Sequence, residues 1–124
     1  MIGDRIQIQN FGPVLVLLLS LTSCSSHNGI KTDETVLKHD LYLMRSAIDQ
    51  YTEDKEQAPQ HLIDLVKSGY LHAIPEDPFT KSNTTWVEVA EGPEEISNPD
   101  HPGIADVHSG SHKLSSEGTT YDSW

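Results

Sequence analysis

The chain has 124 residues, enough for one small domain with an N-terminal extension. Apolar residues make up 35% of it and aromatics 6%, which implies a modest core and a large share of loop. The formal net charge is −11, from 19 acidic against 8 basic residues, so nucleic acid and anionic lipid headgroups would be repelled as partners.

Residues 13–21, PVLVLLLSL, form an apolar run behind a short polar stretch that contains Arg5. As a helix the run would be about 15 Å long, half of a hydrocarbon core of about 30 Å. That length suits the apolar region of a signal peptide and not a permanent span. The run ends in Leu21-Thr22-Ser23-Cys24, and Cys24 is the single cysteine, which excludes a disulfide within one chain. These residues resemble the lipobox of bacterial lipoproteins. The resemblance implies that residues 1–23 are a lipoprotein signal peptide and that Cys24 becomes the acylated N-terminus, with palmitate among its chains. Several acyl chains would hold the protein firmly, at about 0.8 kcal/mol per buried CH₂. It also implies a lipid-anchored place in the cell envelope facing the periplasm. Ser25 after the cysteine favours the outer membrane in a Gram-negative cell. An ordinary secretory signal and an uncleaved anchor are the competing readings. Residues 24–32 are polar, include Gly29 and read as a flexible tether.

Residues 33–55 are the stretch around which the domain is organised. Leu37, Leu41, Met44, Ile48 and Tyr51 recur in alternating steps of four and three, which puts them on one face of an α-helix. Lys38, Asp40, Arg45, Asp49 and Asp54 fall largely off that face. No proline or glycine interrupts the run, and Thr32 or Asp33 is a candidate N-cap. A stripe of this kind reads as core and not as a cofactor site.

The charged stretch at 53–57 and Ala58-Pro59 end the helix. A second short helix is expected over residues 60–67, with Leu62, Leu65 and Val66 inward and Gly69 closing it in the left-handed conformation. Tyr70, Leu71 and Ile74 read as apolar plugs onto the first helix, and Pro75 and Pro78 as an extended turn. Residues 84–90, TTWVEVA, alternate and are rich in β-branched and aromatic types, which predicts a strand. Residues 91–103 read as an acidic, mobile loop. Ile104–His108 reads as a second strand, Ser109-Gly110-Ser111 and Glu117-Gly118 as turns, and residues 119–124 as a last short strand. The expected fold class is α+β, one long helix and a short one packed on a small antiparallel sheet.

The motifs LKHDLYLMRSAIDQYTEDK, HLIDLVKSGYL, IPEDPF, TTW, ADVHSGS and EGTTYDSW resemble the major pseudopilin (G subunit) of type II secretion systems, over residues 34–124. The resemblance implies a type IV pilin-like headpiece spanning residues 33–124. It also implies a structural, non-catalytic role linked to type II protein secretion, with other pseudopilins or secretion-system proteins as partners. The chain departs from the family in its N-terminal region and in its C-terminal loop. Gly12 is followed by Pro13, Leu17 stands where the family has glutamate, and the apolar run stops at Cys24, so the form implied is a lipid-anchored headpiece. The family's C-terminal loop commonly binds Ca²⁺ through oxygen ligands, and the matching positions are Ser109 or Ser111, Glu117 and Asp122. His112-Lys113 replaces a carboxylate there.

The rival reading is a metal-binding envelope lipoprotein on the same fold, with Zn²⁺ or Ca²⁺ at His101, His108, His112, Glu117 and Asp122. Their spacing fits no compact zinc signature. His39, His61 and His72 are expected at the surface. No G-x-S-x-G, H-E-x-x-H or phosphate-cradling glycine loop is present, and an enzyme is not expected. The loops at 91–103 and 109–122 are the expected partner surface.

Overall fold

The computed structural model describes residues 25–124. Its elements are helix α1 (Ser25–Lys55), helix α2 (Leu62–Lys67), strands β1 (Val87–Ala90) and β2 (Ile104–His108), and a closing 3-10 turn (Tyr121–Ser123). The strands form one antiparallel pair, so the class is α+β as expected. The chain divides into two units, Met1–Ile30 and Lys31–Trp124, and every described core residue lies in the second.

The stripe on α1 is buried. Leu37, Leu41, Met44 and Ile48 are each at most 2% exposed, and Ala47 joins them. Each of the four larger side chains contributes about 1.5–3 kcal/mol by leaving water. Tyr51 ends the stripe half-buried, its ring meeting Tyr70 edge-on at 5.4 Å. The described helix already runs from Ser25, so neither Thr32 nor Asp33 is its N-cap. Apart from Gly29 the polar stretch read as a tether holds no helix breaker, and a helix already nucleated extends at little cost. At the other end Glu56 takes a left-handed conformation (φ 56°), and the buried Ala58 and Pro59 follow.

α2 starts two residues later than expected, because His61 is extended and forms its N-cap. The Asp64 carboxylate accepts from the amides of Gln60 and His61, both at 3.0 Å, closing the helix start. Leu62 and Leu65 face the core, Val66 is half-buried, and Gly69 is left-handed (φ 82°) as its position requires. Tyr70, Leu71 and Ile74 pack against the core cluster. Trp86 Nε1 donates to Pro75 O at 2.8 Å and ties the proline turn to the chain entering β1.

β1 is shorter than the alternation of 84–90 suggested. Only Val87–Ala90 find partners, in the register Val87↔His108, Glu88↔Val107, Val89↔Asp106 and Ala90↔Ile104. The shift between the last two pairs leaves Ala105 as a bulge. The connecting loop is stitched down rather than free. Glu91 accepts from Ser97 N at 3.1 Å and Gly103 N at 3.0 Å, and Ala58 N donates to Ser97 Oγ at 2.7 Å. The last strand is replaced by the 3-10 turn, with only a single bridge between Leu114 and Thr120. Tyr121 turns into the core there, which ends any ladder.

Gly103 passes against the backbone of Ala58 and Pro59, where an added Cβ would meet the carbonyl oxygens of both. Neither is a flexible side-chain end that could give way. Gly103→Ala is expected to lower unfolding free energy by about 1–3 kcal/mol in denaturant melts. At Gly29 such a Cβ would meet no described atom within 4 Å beyond the adjacent residues and the helix's own backbone, so Gly29→Ala should not destabilise.

Candidate functional site

Residues 109–124 run back from the sheet to α1, and this segment holds the predicted calcium ligands Ser109, Ser111, Glu117 and Asp122. Its entry is fixed by Asp77, a fully buried carboxylate. Asp77 Oδ1 accepts from Phe79 N at 2.8 Å and from Thr80 N at 3.3 Å, while Oδ2 accepts from Ser109 Oγ at 2.5 Å. Ser109 Oγ in turn accepts from Ser111 N at 3.1 Å. These bonds satisfy a charged group that would otherwise be costly to bury.

The return is fixed by Glu34. Its side chain lies one turn before Leu37 on the buried face of α1 and is 7% exposed. One oxygen accepts from Ser116 N (2.7 Å) and Tyr121 Oη (2.8 Å), and the other from Ser116 Oγ (2.6 Å). Hydrogen bonds from Ser116 hold its pKa below the ordinary 4.5 despite burial, with Tyr121 and the charge of Lys38 adding to them. Burial and the bond to Glu34 push the Tyr121 phenol up to about 12. The Tyr121 ring stacks on Phe79 at 3.7 Å and meets Trp124 edge-on at 5.1 Å.

Arg45 closes the far end. Its Nε donates to Asp106 Oδ1 at 2.7 Å, and its Nη2 donates to Val107 O at 2.9 Å and to Trp124 O at 2.7 Å. His108 Nδ1 lies 2.5 Å from the same Trp124 oxygen. Lys38 pairs with Glu117 at 2.9 Å and sits 4.6 Å from the centre of the Trp124 ring. Both charges of that pair are more than half exposed, so the pair adds little on its own.

The sequence-predicted ligands are therefore spread among separate partners. Ser109 serves Asp77, and Ser111 Oγ accepts from Lys113 N at 3.3 Å. Glu117 pairs with Lys38, and Asp122 with His112 at 2.7 Å. Of the other histidines proposed as ligands, His101 is exposed and His108 is taken up by Trp124 O. Among the described residues no group of three or more His, Cys, Asp or Glu side chains is placed to hold a metal ion. His39, His61 and His72 are exposed, as expected. Cys24, Gly12, Pro13 and Leu17 lie outside the described residues. No described helix is long and apolar enough to cross a membrane.

Sequence reasoning missed Glu34, Arg45 and Asp77 as organising groups. The signal for Glu34 was present, since it precedes Leu37 by three residues and continues the buried row. Arg45 and Asp77 had none, because their partners lie far along the chain. Comparison with protein families, curated proteins and solved structures gives no match to this chain.

Because its folded pKa is lowered, Glu34 contributes stability that is complete above pH 4.5 and lost as pH falls through the lower folded value. Glu34→Gln should remove part of that acid dependence from thermal melts. At neutral pH the amide oxygen can still accept from Ser116 N and Tyr121 Oη, but the amide nitrogen then faces Ser116 Oγ and the charge-assisted bonds are lost, so the expected loss is about 1–3 kcal/mol.

Proposed function

We propose that the chain is a non-catalytic, membrane-anchored pseudopilin-like protein, a structural or accessory component associated with type II protein secretion. The observation that carries this reading is the way the domain is built on one helix. A long α1 buries a continuous stripe, and the C-terminal segment folds back to bond Glu34 and Arg45 on that helix. The order of helix, short helix, antiparallel strands and returning segment follows the motif order on which the pseudopilin resemblance rests. A type IV pilin-like headpiece is the fold that this reading requires.

The use of the charged groups supports a structural role. Glu34, Arg45, Asp77, Glu91 and Asp106 each bond main-chain or side-chain groups of the domain itself. Under this reading Cys24 is the lipid anchor and the domain stands at the envelope surface facing the periplasm.

The test is genetic and physical together. Cells that lack the chain should secrete less folded exoprotein through their type II system, and the wild-type chain should restore secretion. Cross-linking in intact cells should recover pseudopilins or other secretion-system proteins. Normal secretion without the chain, with no such partner recovered, would contradict the proposal. Melting with and without Ca²⁺ or Zn²⁺ separates the rival, since a ligand that binds only the folded state raises the melting temperature. The structural reading expects no shift with zinc; a large rise with zinc and not calcium would favour the metal-binding lipoprotein.

A further inference from the structure

The two edges of the β1–β2 pair are treated differently. The outer edge of β2 is covered: Arg45 Nη2 donates to Val107 O, and Ile104 N donates to Pro59 O at 2.8 Å. The outer edge of β1 is not. Glu91 N donates to Gly103 O at 2.9 Å, continuing the ladder past Ala90, so the main-chain groups of Val87 and Val89 turn toward β2. Those of Glu88 and Ala90 then turn outward. No bond from the main chain of Glu88 or Ala90 to a loop, helix or side chain is found among the described residues. All four residues of β1 are exposed, Val87 to 48% and Val89 to 36%.

An open row of amides and carbonyls is a template for one kind of occupant, another extended strand. We propose that the outer edge of β1 receives an extended, basic segment of a partner protein, adding a third strand to the sheet. Charge selects the partner. Residues 84–100 carry Glu88, Glu91, Glu94, Glu95 and Asp100 and no lysine or arginine. A second copy of this chain, itself at −11, would set acidic strand against acidic strand. Room for the partner's side chains lies alongside. Thr84, Trp86 and Glu88, alternate residues of the same stretch, line a cleft of about 270 Å³ together with Ile63 and Ile74. An apolar side chain on one face of the added strand would enter it. This inference stands apart from the pseudopilin reading, because it uses only the open edge, the charge and the cleft.

The probe is a synthetic peptide of alternating lysine and valine, offered to the full-length chain while amide hydrogen exchange is followed residue by residue. Binding should slow exchange at Glu88 and Ala90 by about tenfold or more. The same peptide with alternate amides N-methylated should lose this protection, because it cannot donate along the edge. Ala90→Pro, which removes an outward amide at an exposed position, should weaken the unmodified peptide. The N-methylated control does not depend on that variant folding. No saturable binding would overturn the proposal. So would binding that leaves exchange at Glu88 and Ala90 unchanged, or that N-methylation does not affect, either of which reduces the association to bulk charge.

Discussion

One row of side chains on α1 sets the position of everything after it. Glu34, Leu37, Leu41 and Arg45 succeed one another at steps of three and four, so a carboxylate stands at the start of the apolar stripe and a guanidinium along its margin, beside Met44 and Ile48. Burying the stripe brings both charges against the domain, where each must be satisfied. Glu34 is satisfied by Ser116 and Tyr121, and Arg45 by Asp106, Val107 and Trp124. The apolar burial supplies most of the driving force. The two charges decide which distal residues lie over it, because few other groups could complete their hydrogen bonds.

The smaller contacts follow from this arrangement. With the C-terminal segment pinned to α1, Tyr121 is held between Phe79 and Trp124, and Phe79 belongs to the turn that Asp77 organises. Asp77 reaches on to Ser109 at the end of β2, so the proline turn, the sheet and the return to α1 are linked through buried polar groups. On the other side Glu88 of β1 accepts from Leu62 N at 2.9 Å and contacts His61 Nδ1 at 3.0 Å, securing the start of α2. That hydrogen bond, and the charge behind it, raise the pKa of His61. Glu34, Asp64, Asp77, Glu88, Glu91 and Asp106 thus all accept from main-chain amides, which is one use of the acidic composition that a charge count cannot reveal.

What was legible in the sequence is what local periodicity encodes. The stripe from Leu37 to Ile48, the left-handed Gly69, the plugs at Tyr70, Leu71 and Ile74 and the second strand at Ile104–His108 all follow from spacing or residue type. Features set by distant partners were not legible. The strand at 84–90 shortens because β2 offers partners only as far as Val87. The expected terminal strand becomes a 3-10 turn because Tyr121 is drawn inward to Glu34. The acidic loop at 91–103 is fastened by Glu91, whose role depends on where Ser97 and Gly103 return to it. The candidate ligands met the same limit: proximity along the chain did not tell that Glu117 and Asp122 would be drawn to Lys38 and His112.

The proposed function requires a membrane tether and assigns that task to Cys24. Intact mass and N-terminal analysis of the protein recovered from cell membranes, beside a Cys24→Ser variant, addresses this most directly. The expected result is a chain that begins at an acylated Cys24, and a variant that keeps its leader or leaves the membrane. A chain cut after Gly12, with Pro13 as its first residue and an unmodified thiol, would contradict it.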